Sequence, residues 1–596
     1  MTPARAAIAL MRAPAYPCAA NSAAASRRSL RVRSGSRCRS WGLGDRRGFD
    51  RTAVLVVGGG IVGLSAALFL ARQGIRPVLV ERHPSTALLP QARAFNPRSM
   101  EIYRALGLEE EIRGRASILT DLPEMIGAEI LTGEERFRLD VLAQVRPPAT
   151  VSPTDWAMID QDELEHIVRA HAERSGADVR FGTELVSFDA DADADADADG
   201  DGDADGDGVT TMLRDVSSGA EYRLHADYLI AADGHRAGIR HRLGIGADGP
   251  GVLFPVVNFV FDADLSTALR GRRFLLAYLD RPAPGTALVP LRKFGRWALG
   301  VPYDPERGES FDDFTDQRCA ELAREAVGIP GLDLTLVPPM PGWDRKVSST
   351  RIGGWVARRY RAGRVFFVGD AAHVVPPTGS YGANTGIADA HNLAWKLAAV
   401  IKGQAGDTLL DTYEDERRPV ARITLETAMR LLRDRHEGTG DDATAVDDLA
   451  MIFGYRCDSA AILTETSIPV GPVEDPRQPS GRPGLRAPHV WLDRAGTRLS
   501  TLDLFAGAFT VLVGPDGEDW TAAARMAAAS LEVELDIHHV GVGLHDPDDR
   551  LLDAYGVTRA GASLIRPDGF VAWRAFHLPR RPEYDLHQVL AHLLGR

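Results

Sequence analysis

The strongest chemical signal in this chain is a glycine run set between an apolar strand and a helix. Residues 54–57 are apolar and lead into Gly58-x-Gly60-x-x-Gly63; a helical pattern follows with Leu64, Ala67, Leu68 and Ala71 on one face, and a second apolar run, 77–80, ends at Glu81. In such a unit Gly58 permits the tight turn, Gly60 lets the backbone approach a pyrophosphate and Gly63 lets helix and strand pack closely. The helix start offers unbonded N–H groups and the positive end of its dipole to phosphates. Glu81 stands where an acid accepts hydrogen bonds from a ribose. This pattern predicts dinucleotide binding and leaves FAD or NAD open. Two further acids sit at the ends of apolar runs: Asp233 before Gly234, and Asp370 before Ala371 and Ala372. Either could meet a cofactor, close a turn or cap a helix. The four cysteines, Cys18, Cys38, Cys319 and Cys457, are scattered without metal-ligand or Cys-x-x-Cys spacing. We expect no metal site and no disulfide framework, and a reducing compartment fits.

These residues need elements to hold them. Strand and helix patterns alternate from 52 to 106, as in a parallel sheet. Residues 251–303 read as strands joined by Pro/Gly turns, at 256–262, 274–279, 286–291 and 296–301, and an antiparallel sheet fits them. Helical pattern returns at 387–401 and 408–433. A Pro-rich stretch, 476–488, precedes a last α/β unit with strands at 509–513 and 562–565. No apolar run reaches the roughly 18–20 residues of a membrane span, so a soluble, cytoplasmic protein is expected. The net charge of −13 is dominated by a tract between Asp189 and Asp207 in which Asp recurs at every second position. Position twelve of a calcium loop counted from Asp197 is Gly208, not the Glu an EF-hand needs, so the tract reads as a solvated hairpin tip. No basic face points to nucleic acid. Residues 1–50 carry about ten arginines and only Asp45 and Asp50 as acids. That composition fits a transit peptide, a disordered arm or an upstream start codon.

Beyond the glycine run the chain resembles a known family. Residues 228–240, with Asp233, Gly234, Arg236 and Arg240, resemble the Asp-Gly motif of flavoprotein aromatic hydroxylases, and 363–373, with Gly369, Asp370 and His373, resemble their Gly-Asp motif. The likeness continues through Pro376, Pro377, Gly379, Gly382, Asn384, Gly386, Asp389, Asn392 and Lys396. Arg93, Asn96, Arg98 and Glu101, then Gln161 before Leu164 and Glu165, then Tyr413 with Glu416, Arg417, Arg418 and Pro419, match further family segments. The chain is thus identified as similar to the para-hydroxybenzoate-hydroxylase-like FAD monooxygenases. Its tail, through Arg486, His489, Trp491, Arg566, Asp568, Gly569 and Trp573, is closer to the polyketide (anthracycline and angucycline) hydroxylases. One departure is Ala237, where the family commonly has Ser, which puts one hydroxyl contact in doubt.

The resemblance implies an α/β fold: a Rossmann-like FAD-binding domain, an interleaved mostly antiparallel substrate sheet and a C-terminal thioredoxin-like domain. The expected division is an arm at 1–50, FAD-binding parts at 51–250 (with an acidic loop at 189–208) and 351–425, a substrate sheet at 251–350, a helical and Pro-rich linker at 426–488, and the thioredoxin-like unit at 489–596. It also implies non-covalent FAD held by Gly58, Gly60, Gly63, Glu81, Arg82, Arg93, Gln161, Asp233, Asp370, Gly382, Ala383 and Asn384. Asp370 would take a ribityl hydroxyl, and 382–384 would lie under the isoalloxazine. NADPH or NADH would serve as a transient co-substrate, with Arg240 beside it. The implied reaction uses O2 and a flavin C4a-hydroperoxide to hydroxylate an aromatic ring, with no general base assigned. Baeyer–Villiger oxygenation, antibiotic inactivation and a non-catalytic FAD protein are the alternatives. His373 and Trp395 are expected to pack rather than react. The C-terminal unit, lacking cysteines, is expected to be redox-silent, a packing or oligomerisation module that leaves a homodimer open. The aromatic residues Phe259, Phe261, Phe274, Tyr278 and Trp297, with Leu276 and Leu288, suggest a broad apolar wall for a multi-ring phenol; the alternative is that they are sheet core.

Overall fold

The computed structural model describes residues 50–596 except 87–91, 116–123, 144, 191–207, 292–294, 339–344, 438–446, 466–470 and 506. The arm with Cys18 and Cys38, and most of the acidic tract, lie outside the described residues.

The first sheet runs Arg361–Ala362, Val365–Phe367, Glu221–Ala231, Asp50–Val57, Val78–Glu81, Asp178–Phe181. Its central strands are parallel. They read as continuous apolar runs because both faces are covered: Val54, Leu55, Val56, Leu79, Leu229 and Ile230 are all inaccessible. Helix Ile61–Arg72 packs against the sheet and against helix Tyr381–Ile401. That packing dictates Gly386, where a Cβ would stand 2.6 Å from Val62 Cγ2 and 2.9 Å from Gly369 Cα. The helix starts six residues before the predicted 387, because this contact overrides the poor helix propensity of Gly382, Asn384 and Gly386.

Strands Thr183–Ala190 and Val209–Asp215 pair as a hairpin, with Ala190 opposite Val209. A short Gly-Ser turn in place of 191–207 closes this register, so such a variant is expected to keep wild-type turnover. A large loss of activity in that variant would show that the tract has a role of its own.

The second sheet is ordered His373–Val374, Val347–Ala357, Ala247–Asp262, Arg296–Pro302, Thr286–Pro290, Leu276–Leu279, Glu124–Ala128, Glu135–Asp140. It is antiparallel apart from the pairing of Leu276–Leu279 with Glu124–Ala128. It therefore draws strands from outside 251–350. Strand Glu124–Ala128 finds its partner Leu276–Leu279 far along the chain, which local pattern does not reveal. The sheet has two apolar faces. Phe259, Phe261, Phe274, Leu288 and Trp297 pack with Cys319, Leu322, Ala323 and Ala326 of helix Asp316–Val327. Leu276 and Tyr278 lie on the opposite face with Met125, Val260, Ala287, Val289, Leu291 and Ala298. The expected single wall is thus corrected: five of its seven residues are core under a helix. Strand alternation places Leu276 and Tyr278 on the second face, with their cross-strand partners Met125 and Ala287.

The C-terminal sheet is ordered Leu535–His539, Phe509–Val513, Ala562–Ile565, Val571–Ala575, with a parallel first pair and antiparallel remainder. Helices Glu518–Leu531 and Pro582–Leu593 pack together on it, a thioredoxin-like β-α-β then β-β-α order. Trp395 inserts here, edge-on to Phe509 at 5.5 Å, so its role is packing. Cys319 and Cys457 are inaccessible, and burial pushes the Cys319 thiol up to about 12. Among the described residues no helix is long and apolar enough to cross a membrane, and no group of three or more His, Cys, Asp or Glu is placed to hold a metal ion.

Candidate functional site

Four of the predicted residues or turns leave the same edge of the first sheet. Strands Val365–Phe367, Glu221–Ala231, Asp50–Val57 and Val78–Glu81 are neighbours and parallel, so Asp370, Asp233, the Gly58–Gly63 turn and Glu81 follow in that order along their carboxyl ends. At roughly 4.8 Å per strand this row spans about 14 Å. The carboxyl edge is where open α/β sheets take ligands.

The three glycines differ. Gly58 has φ +116°, and a Cβ there would stand 2.2 Å from the Ala232 carbonyl oxygen. A Cβ on Gly63 would stand 2.0 Å from the Gly58 carbonyl oxygen. Both are demanded by the protein itself. Gly60 is not: it caps helix Ile61–Arg72 in an extended conformation, and its Cβ would meet nothing nearer than Glu165 Oε1 at 4.0 Å. The space before the helix N-terminus is open, which fits a pyrophosphate.

Glu81 lies beside that space. Its Oε2 accepts from Gly59 N–H at 2.7 Å and its Oε1 from His83 N–H at 2.9 Å. Burial raises its pKa, but His83 and the Gly59 amide outweigh burial and hold the carboxyl below its ordinary value. Arg82 is exposed next to it. Asp233 Oδ2 accepts from Ile239 N–H at 2.9 Å, at the start of helix Gly238–Arg242. Ala237 is the left-handed residue (φ 44°) before that helix. Asp233 therefore supplies the capping oxygen that Ala237 lacks, so the departure from Ser leaves this helix start capped. Burial raises the Asp233 pKa, and its Oδ1 is buried without a hydrogen-bond partner among the described residues. Arg240 instead points inward: its guanidinium stacks over Trp355 at 4.5 Å and donates to Ile245 O.

Asp370 lies in the turn Gly369–Ala371, and burial raises its pKa against the pull of His373 and His235. The turn is held from below by Asp389, a residue of the motif to which the sequence assigns no role of its own. Asp389 is inaccessible; its Oδ2 accepts from Gly369 N–H at 3.2 Å and lies 2.6 Å from His373 Nε2, and its Oδ1 accepts from Arg417 Nε at 2.8 Å. Burial alone would raise the Asp389 pKa; His373 and Arg417 bring it below the ordinary range. His373 is thus held through Nε2 by Asp389. Asp389→Asn is expected to destabilise the protein by about 3–5 kcal/mol, the range for breaking a buried pair, and to lower its FAD content. The folded pKa lies below the unfolded value near 3.9. This stability is therefore present above that pH and is lost as pH falls through the folded value. The variant should lose that acid-side slope. Urea melts across pH and flavin absorbance check this; wild-type behaviour in both would free Asp389 of the role.

Arg93 and Gln161 converge from two other segments. Arg93 Nε donates to Asp160 at 2.8 Å and Nη1 to Pro290 O at 3.1 Å, at the end of a second-sheet strand, while the buried Nη2 has no partner among the described residues. Gln161 Oε1 accepts from Ala92 N–H, and its Nε2 donates to Glu165. Residues 382–384 form the first turn of helix Tyr381–Ile401. The Asn384 side chain is committed to protein: Oδ1 accepts from Asn96 N–H and Ser99 Oγ, and Nδ2 donates to Ala94 O and Ser380 O. What this turn offers a flavin is backbone.

The open Gly60 cradle and the unpartnered Arg93 Nη2 and Asp233 Oδ1 fit an extended dinucleotide. Comparison with known proteins agrees. Residues 51–428 match the family model described as FAD binding domain, and residues 480–596 match the aromatic-ring hydroxylase C-terminal model. The chain is 42% identical to aklavinone 12-hydroxylase RdmE of Streptomyces purpurascens, over 91% of this chain and 99% of that protein. It is 40% identical to 4-methyl-5-nitrocatechol 5-monooxygenase of a Burkholderia species, over 91% and 97%. A solved ternary complex of aklavinone-11 hydroxylase with FAD and aklavinone superposes with a TM-score of 0.81 at 40% identity, covering 91% of this chain and 99% of that one.

Proposed function

The chain belongs to the FAD-dependent aromatic-ring hydroxylases, and from that premise we propose that it hydroxylates a multi-ring phenolic polyketide with NADPH or NADH and O2. The observation that carries this reading is the row of Asp370, Asp233, Gly60 and Glu81 on one sheet edge, joined through Arg93 and Pro290 O to the second sheet.

In this reading Glu81, with Arg82 beside it, takes the adenosine ribose, and the helix start at Gly60 takes the pyrophosphate. Asp370 accepts from a ribityl hydroxyl. Arg93, Gln161 and Asp233 border the cofactor, and residues 382–384 present N–H groups at the positive end of helix Tyr381–Ile401, where they stabilise negative charge on the bound ring. Bound FAD supplies the oxygen activation and hydroxyl transfer. The protein orients the ring and keeps water out. The second face of the substrate sheet, with Met125, Val260, Leu276, Tyr278, Ala287, Val289 and Ala298, is the proposed wall. These residues form an apolar patch with a single side-chain hydroxyl, which suits a flat polycycle.

Product mass spectrometry after NADPH and O2 turnover with candidate aromatics tests the reading. A polycyclic phenol heavier by one oxygen is expected. Turnover that leaves every aromatic unchanged would overturn it.

A further inference from the structure

The C-terminal domain has no cysteine, yet it places two ionised residues in the deepest part of the molecule. Arg566 is inaccessible, and its fork meets both oxygens of Glu416, at 2.6 and 2.9 Å. The same guanidinium donates to Asp568 at 2.5 and 3.0 Å. Asn392 Nδ2 bridges the two carboxylates, at 2.7 Å from Glu416 and 3.0 Å from Asp568. Lys396 Nζ lies 3.0 Å from Glu416. Asn392 and Lys396 belong to helix Tyr381–Ile401, and Glu416 to helix Thr412–Glu437. The Asp568 carbonyl accepts from Arg98 Nη2 at 2.8 Å, and Arg98 and Arg486 together hold the buried Glu101 of helix Pro97–Ala105.

Three helices are therefore gripped by one domain. At the other end two of them, Tyr381–Ile401 and Pro97–Ala105, are joined by Asn384, which accepts from Asn96 N–H and Ser99 Oγ. The result is a closed frame: the C-terminal domain on one side, the turn at 382–384 on the other. Adhesion alone does not require it. Trp395, Ala399, Ala405 and Leu409 already bury an apolar contact with Phe509, Leu590, Leu593 and Leu594. Buried ion pairs add little net stability over apolar packing of the same volume, but they fix direction and register.

We propose that the C-terminal domain is a positioning element for the flavin, with Arg566 and Asp568 setting the place of helix Tyr381–Ile401 and hence of the backbone at 382–384. This rests on the reading that 382–384 faces the isoalloxazine. Misplacement of that turn weakens its grip on the flavin ring and lets oxygen chemistry escape the substrate, so the effect appears in FAD affinity and in the fraction of NADPH that ends as hydrogen peroxide.

The test compares holoenzyme variants. Arg566→Met leaves the buried Glu416 and Asp568 carboxylates without the arginine they share and is expected to lower both thermal stability and FAD affinity. A neutral network (Lys396→Met, Glu416→Gln, Arg566→Met, Asp568→Asn) removes every unpaired charge and should restore the melting temperature of the apoprotein. It should still bind FAD about tenfold more weakly, as expected when a binding group is displaced by a fraction of an ångström, and release more peroxide. If affinity and coupling recover together with the melting temperature, the network is structural only and the proposal falls. Should the neutral variant not fold, Arg566→Lys keeps the charge and loses the fork; wild-type coupling there overturns the proposal equally. Gly382→Val serves as reference: if it leaves FAD binding and coupling untouched, the placement of the turn fails and takes this inference with it. If it perturbs them while the network variants do not, only the inference fails.

Discussion

Gly60→Val is expected to give a folded, colourless protein. The substitution isolates the cofactor's demand from the protein's own. Gly60 holds φ −75° and ψ 178°, an extended conformation natural to valine, and a Cβ there finds its nearest neighbour at 4.0 Å. Nothing in the polypeptide requires glycine, so apoprotein stability should stay close to wild type. The valine methyls would occupy the space in front of the helix Ile61–Arg72 N-terminus and shield its N–H groups. Losing one or two charge-assisted hydrogen bonds of about 1.5–3 kcal/mol each corresponds to roughly tenfold or more in affinity. Flavin absorbance and fluorescence titration of the apoprotein read this directly. Gly63→Val should behave differently, since its Cβ would sit 2.0 Å from the Gly58 carbonyl oxygen; that variant should fold poorly whether or not FAD is present. Full flavin occupancy in Gly60→Val would remove the pyrophosphate from this loop.

The contrast between those two glycines also marks what was legible in the sequence. The Gly58–Gly63 turn, the strand before it and the acid after it are local, and their spacing alone places them at the end of a parallel strand. Asp233 and Asp370 were legible as motif residues, and the strand order brings them beside that turn. The pairings of the supporting residues were not, although the residues themselves stand in the motifs. Asp389 serves Gly369, His373 and Arg417, and Glu416 meets Arg566 from 150 residues away. No periodicity encodes such pairings. Asn384 shows a subtler limit: a side chain in a flavin-motif turn is spent on Asn96 and Ser99. The substrate sheet was legible as antiparallel strands, but apolar residues alternate onto both of its faces, so hydrophobicity gave no means of telling the helix-covered face from the other.

That second face underlies the other large expected effect: a multi-ring phenol should accelerate NADPH consumption by about tenfold or more, a barrier change of about 1.4 kcal/mol or greater. The second face collects Met125, Leu276, Tyr278, Ala287, Val289, Ala298 and Val260 from five neighbouring strands. At roughly 4.8 Å between strands it extends about 19 Å, wider than one ring needs. The wall reaches the cofactor edge where Arg93 donates to Pro290 O, so a ligand lying along it would touch the same arginine that borders the flavin. Filling the wall would expel water and fix Arg93, and both changes favour productive cofactor encounters over wasteful ones. Stopped-flow measurement with and without ligands, paired with product mass and peroxide assay, separates the outcomes. Acceleration by polycyclic phenols with one oxygen gained is the expected result. Acceleration by single-ring phenols alone would return the chain to the company of its nitrocatechol-oxidising relative and defeat the polyketide assignment while leaving hydroxylation intact. If no aromatic accelerates the reaction and all consumed oxygen appears as hydrogen peroxide, the second face is not a substrate wall, and the role proposed for it through Arg93 is lost as well.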